Sequence, residues 1–275
     1  MADVNSYPEP QAHLGVGAIL SETFALFGRN FVFFFSLGAL PSVVLGMINI
    51  GVERAQRSAI IETDAFPSTL VYTSFVIGLV ALIGYLVLQG VMARSAIALK
   101  TGNGTQLSQA VMSSLSGLFP IMILGLAAGV MIVLGFLALI IPALYVAAMV
   151  SVFVPAIVFE KRGFGALGRS FELTRGYRWA IAGVMIVINL IGTVISGVLG
   201  AIVALVVVGG VYGNDPTTLV MQDVVLGHQL LGVGIEALIN GITLPLSMIS
   251  TALIFVRLRE IKEGGDAEDL VRVFE

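Results

Sequence analysis

The chain has 275 residues, of which 57% are hydrophobic and 11% charged, against roughly 25% charged in an ordinary soluble domain. With a mean hydropathy of +1.02, this composition excludes a soluble enzyme and puts the protein in a membrane. Cysteine is absent, which excludes disulfides, thiolate metal ligands and a Cys nucleophile, and the net charge of −3 argues against nucleic acid as a partner.

Residues 1–13 form a polar tail with Asp3 and Glu9 but no Lys or Arg. A cleavable leader opens on a basic stretch, so the first span is expected to stay in the mature protein. A hydrocarbon core about 30 Å thick needs about 20 apolar residues in a helix, and runs near 31–51, 70–93, 178–207 and 230–256 meet that need. Leu118 to Phe159 is a further stretch without a charged residue, and as one helix it would reach roughly 60 Å. It must turn, and Pro142 is the best breaker because proline lacks an amide proton and clashes with the preceding turn. Spans are thus expected at 119–141 and 143–159. The latter sits at the lower length limit, so a hairpin that stops short of crossing stays open.

Three short segments at about 14–29, 106–117 and 164–176 have helical apolar spacing but are too short and polar to cross. Leu20, Phe24, Phe27 and Phe31 share one face of the first; Leu107, Val111, Leu115 and Leu118 do so in the second, and Phe164, Leu167 and Phe171 in the third. Such helices suit the membrane interface, apolar side down, or serve as covers packed on the bundle. The expected fold is an all-α integral membrane protein with six transmembrane helices in three consecutive pairs, each pair preceded by a short cytoplasmic amphipathic helix. Residues 14–257 make one transmembrane domain, and 258–275 a charged cytoplasmic tail. The copies are parallel repeats, unlike the inverted repeats common in alternating-access transporters.

With the amino terminus in the cytoplasm, only Arg54 and Arg57 of the 14 basic residues fall outside, a strong positive-inside bias. Five crossings with the chain inverted would also satisfy the charge rule, so the count of six rests on length.

From Pro142 onward the sequence resembles the glycerophosphoryl diester phosphodiesterase membrane-domain family of bacterial proteins and its relatives of the YciC type. The segments that carry the likeness are PAIVFE at 155–160, ALGRSFELTRGYRW at 166–179 and the closing FVRLREIKEG. The resemblance implies a multi-pass protein of the bacterial inner membrane with a scaffold role and no catalytic residues to transfer. In members that include a phosphodiesterase, that activity belongs to a separate soluble domain.

No enzyme activity, cofactor or metal is expected. The two histidines, His13 and His228, are predicted on opposite sides of the membrane, and the chain has neither a phosphate-binding glycine loop nor an HExxH pattern. Glu236 is the one ionisable side chain well inside a predicted span, about two turns from its outer boundary, where charge is costly. Asn240 follows one turn later. Asn189 is predicted at a similar depth and within reach of Glu236 across the helix pair, a contact worth about 1 kcal/mol or less. Gly192, Ser196, Gly200 and Ala204 make a small-residue stripe on the fifth span, and Gly125 with Gly129 do the same on the third. Lys161, Arg162, Arg169, Arg175 and Arg178 gather before the fifth span and suit an anionic leaflet. Two functions follow: a non-enzymatic accessory or scaffold module binding membrane lipid or another membrane protein at its cytoplasmic interface, and a transporter or channel using Glu236, Asn240 and Asn189.

Overall fold

The computed structural model describes residues 14–63, 68–102, 104, 106–212 and 222–264, and all regular structure among them is helical. In chain order the helices are α1 (Val16–Arg29), α2 (Phe31–Thr63), α3 (Ser68–Lys100), α4 (Leu107–Ser116), α5 (Leu118–Ala138), α6 (Ile140–Val150), α7 (Phe153–Glu160), a 3-10 turn at Gly163–Gly165, α8 (Ala166–Thr174), α9 (Arg178–Tyr212) and α10 (Gln222–Glu263). Six stretches are long and apolar enough to cross a membrane: Phe31–Gln56, Tyr72–Lys100, Leu118–Ala138, Ile140–Glu160, Arg178–Ile202 and Gln229–Glu263. The protein is a multi-pass helical membrane protein. The tail 1–13, the end 265–275 and the side chain of His228 lie outside the described residues.

Four helices run on beyond the apolar stretches that nucleate them, α9 by only five residues. α2, α3, α9 and α10 have 33, 33, 35 and 42 residues, about 50 to 63 Å at helical rise. The sequence boundary at 257 is no break, because α10 continues to Glu263. Its last turns are held by Arg257–Glu260 and Arg259–Glu263 pairs at 2.8 and 3.0 Å, neighbours on a helix surface.

α10 forms the centre and packs along α2, α3 and α9. Its contact with α2 is close because glycines permit it. A Cβ on Gly38 would stand 2.5 Å from the Asn240 carbonyl oxygen, one on Gly46 2.7 Å from Val233, and one on Gly241 2.6 Å from the Phe35 ring. Without a hydrophobic force between helices in lipid, close backbone approach supplies the attraction. The fully buried side chains concentrate toward one end, with Phe34, Met92, Ile97, Leu173, Ile181, Ile249, Leu253, Phe255 and Leu258 among them. α1, α4 and α8 pack at that end: Glu22 pairs with Lys100 at 2.9 Å, Gln109 accepts from Arg94, and α8 joins the ends of α7 and α10.

The turn between α5 and α6 comes at Leu139, three residues before the expected breaker. Leu139 is extended (φ 173°, ψ 167°), and Pro142 falls in the first turn of α6, where its missing N–H has no intrahelical partner to lose. Pro155 holds the same place in α7, after Val152 breaks the helix. Each proline thus starts a helix, and the stretch 140–160 is two short helices with a joint at 151–152.

Of the three short helices, α1 buries a bulky apolar face, whereas α4 buries only small residues and α8 mostly small and hydroxylated ones. α1 buries Ile19, Thr23, Leu26 and Phe27, α4 buries Ala110 and Ser114, and α8 buries Ala166, Ser170, Leu173 and Thr174. Phe24, Phe31, Leu107, Met112, Leu115, Phe119 and Phe164 are left exposed on the outside of the bundle.

Candidate functional site

The described charges outside α2 and the first half of α10 gather at the end where α1, α4 and α8 pack, and the most enclosed of them form one cluster. Glu160, the last residue of α7, meets Arg169 of α8 through two parallel hydrogen bonds, Arg169 Nε to Oε2 at 2.8 Å and Nη2 to Oε1 at 2.9 Å. These side chains are 10% and 11% exposed. Arg169 Nη2 also donates to Glu263 of α10. Arg259 of α10 closes the ring, 3.0 Å from Glu263 and 3.5 Å from Glu160, and Arg162 approaches Glu160 at 3.3 Å. The bidentate bond to Glu160 raises the Arg169 pKa above its ordinary value; burial opposes this and Glu263 reinforces it, so Arg169 stays charged throughout the accessible pH range.

Backbone geometry fixes the cluster. α7 ends because Lys161 turns left-handed (φ 50°, ψ 29°), which reverses the chain so that α8 runs back along α7 and α6. Ser170 and Thr174 are fully buried and both donate to the Met149 carbonyl, at 2.8 and 3.3 Å. That carbonyl belongs to the last turn of α6, where helix ends leave acceptors without intrahelical donors. Two hydroxyls of α8 satisfy what the joint at 151–152 exposes. At the other end of α8, Lys262 donates to the carbonyls of Glu172 and Arg175 and places a cation on the helix C-terminus.

Of the five cations read from the sequence as interfacial contacts, Arg169 and Arg178 are engaged internally. Arg178 donates from Nη1 to the Tyr145 hydroxyl at 2.7 Å and from Nη2 to the Phe171 carbonyl at 3.4 Å, and the Trp179 ring lies tilted against Tyr145 with ring centroids 5.8 Å apart. Lys161, Arg162 and Arg175 are exposed, as are Arg29, Arg257 and Lys262 at the same end. Glu160, Arg259 and Glu263 were not singled out as site residues, although all three lie in the segments that carry the family resemblance. Those three segments, the last of them distant in sequence from the other two, meet in this one cluster.

The intramembrane polar residues are not brought together. Gly192 of α9 stands beside Thr243 of α10, and the Arg175 carbonyl just before α9 is bound by Lys262, so the two helices run antiparallel. That register puts residue 199 opposite Glu236, ten residues or about 15 Å from Asn189 along the axis. The expectation of similar depth is corrected. The Asn189 amide donates instead to Met185 O in its own helix at 2.7 Å. Glu236 is exposed on the bundle surface and Asn240 is partly covered where α2 crosses.

In the small-residue stripes, Gly192 lies 3.3 Å from Thr243 and Gly125 3.8 Å from Leu86 and Phe153. Ser196 is half-buried, Gly200 and Ala204 are exposed, and Gly129 and Gly200 face open space. The tightest approaches belong to other glycines: Gly38, Gly46 and Gly241 between α2 and α10, and Gly90 against Ser114.

By its match over residues 7–258, the chain belongs to the family described as a domain of unknown function, DUF7847. No curated protein and no solved structure matches it.

Proposed function

We propose that the protein is a non-enzymatic module of the bacterial inner membrane, with both termini cytoplasmic, that holds anionic lipid at its charged face. The observation that carries this reading is the division of labour among the cations. Arg169, Arg259 and Arg178 are bound within the fold, whereas Arg175 is exposed and Arg162 and Arg257, each paired with a glutamate, keep 54 and 50% of their side chains open, at the same end as exposed Phe24, Phe31, Leu115 and Phe164. Exposed cations next to an exposed apolar rim match a phosphate headgroup above its acyl chains. The inward orientation of this face rests on the charge bias, and the bacterial membrane on the family resemblance. The transport reading draws no support from the register of Asn189 and Glu236.

Each outward cation contributes about 1 kcal/mol toward an anionic leaflet. Replacing Arg162, Arg175 and Arg257 together by Gln should therefore weaken retention of anionic phospholipid by about 3 kcal/mol, on the order of a hundredfold. Mass spectrometry of lipid kept through purification in mild detergent reads this directly. Retention that is unchanged in the triple variant, or equal for zwitterionic and anionic lipid, would refute the reading. A protein partner found in stoichiometric amount where lipid was expected would move it to the scaffold alternative.

A further inference from the structure

The α5–α6 hairpin differs from the other connections at its end of the fold. The end of α2 and the chain after it carry Glu53, Arg54, Arg57, Glu62 and Asp64, and the chain from the end of α9 into the first turn of α10 carries Asn214, Asp215 and Asp223. Such residues belong in water. From Phe119 to Val150, Tyr145 is the only residue with a polar side chain. The turn itself, Leu137, Leu139, Ile140 and Ile141, is 78, 70, 62 and 65% exposed. An uncapped apolar tip at a far membrane surface would leave four large side chains in water.

The contacts give the depth of that tip. Exposed charges stand at both ends of α8, Lys161 and Arg162 before it and Glu172 and Arg175 at its close, so both ends meet water and the helix lies along the surface. α7 and α6 run beside it: Glu160 pairs with Arg169, Met149 accepts from Ser170 and Thr174, and Tyr145 accepts from Arg178. The stretch from Glu160 back to Tyr145 therefore stays at the surface layer. Tyr145 beside Arg178 and Trp179 is the aromatic and cationic grouping that settles at headgroup level. Leu139 is six residues beyond Tyr145, about 9 Å at helical rise. The midplane lies about 15 Å from the edge of a 30 Å core.

We infer that the α5–α6 hairpin is inserted into one leaflet only, with its tip among the acyl chains on the charged side, so that the chain crosses the membrane four times, by α2, α3, α9 and α10. α5, against α6 through Gly135 and Ala143 and against α7 through Gly125 and Phe153, with Gly117 just before it on Ile157, lies inclined in the same leaflet. Backbone polarity does not oppose this, since every residue but Leu139 is helical across 118–150 and helical segments satisfy their own amides in hydrocarbon. The occupant of the exposed hairpin surface is lipid tail, and the protein displaces more lipid from the charged-side leaflet than from the other. This holds whatever the exposed cations bind.

The chain's lack of cysteine allows a direct test. Single cysteines at Leu139, at Ser116 on the charged end and at Gly227 near the start of α10 would be treated with an impermeant maleimide in sealed vesicles of both orientations. Ser116→Cys and Gly227→Cys should label from opposite sides. Leu139→Cys should label at least tenfold more slowly than either from both sides, and normally once in detergent. A bimane on Leu139→Cys or Leu137→Cys should be quenched more by lipid spin-labelled along the acyl chain than by headgroup-labelled lipid. Labelling of Leu139→Cys from the Gly227 side, or stronger quenching by the headgroup label, would overturn the inference. Because Leu137→Cys offers an independent depth reading, poor folding of one variant leaves the test intact.

Discussion

Replacing Glu160 by Gln tests whether the charged cluster is what locks the three segments together. The substitution keeps the shape and removes the charge that faces Arg169. Losing one partner of an enclosed ion pair costs about 3–5 kcal/mol, because the other charge is left uncompensated out of water. Here Arg169 keeps Glu263 as a second acceptor, which puts the expected loss at the lower end, about 3 kcal/mol. For a chain of this size each kcal/mol moves the melting temperature by roughly 2–4 °C, so a fall of roughly 6–12 °C is expected in mild detergent, read by fluorescence-detected unfolding. Glu263→Gln should cost less, because Glu263 is 33% exposed against 10% for Glu160 and water recovers part of the loss. The double variant Glu160→Gln/Arg169→Met removes both charges and should recover much of the single loss, since an apolar replacement of a whole pair is often neutral or better. A Glu160→Gln protein within about 1 °C of the parent, or a double variant worse than the sum of its singles, would show that the cluster does not hold the fold.

Two further outcomes separate packing from function. Gly38→Ala places its methyl 2.5 Å from a backbone oxygen of α10, where nothing flexible can yield, and should cost at least about 2 kcal/mol of thermal stability; Gly200→Ala, in open space, should change stability by less than about 1 kcal/mol, and equal effects would contradict the glycine-mediated α2–α10 contact. Glu236→Gln should leave folding and lipid retention unchanged, because Glu236 is exposed and sits about 15 Å along the bundle from Asn189; a folded Gln variant that loses a pH-dependent flux present in the parent in proteoliposomes would restore the transport reading.

The apolar runs were legible because hydrophobic length is a property of consecutive residues. Each expected span lies within a helix or helix pair, and the differences are the turn at Leu139, the joint at 151–152 and the extension of α2, α3, α9 and α10 beyond their apolar runs. The charged cluster was not legible as a site. Arg169 and Glu263 are 94 residues apart, and no local spacing says that the end of α10 returns to α8. The residues were visible as parts of three separate motifs, but their charges are complementary only once the helices have packed. For the same reason Asn189 and Glu236 were placed together wrongly: depth was counted from the ends of apolar runs, whereas the helices extend beyond those runs and their register is set by Gly192 on Thr243.

The short helices show a more general reason why a membrane protein's sequence misleads when read by soluble rules. In water, the apolar stripe of an amphipathic helix faces the core, so Phe24 and Phe31 in one segment and Leu107 and Leu115 in another invite the inference that they pack inward. In lipid no hydrophobic force favours that, and helix contacts instead select small side chains and hydroxyls. α4 accordingly buries Ala110 and Ser114, with Ser114 filling the space beside Gly90, and α8 buries Ser170 and Thr174 on the Met149 carbonyl. The bulky residues are then released to the outside, at the same end as the outward cations. In α4 and α8 the small and hydroxylated positions thus make the docking contacts, while Leu107, Met112, Leu115 and Phe164 are left on the surface on which the proposed lipid contact depends.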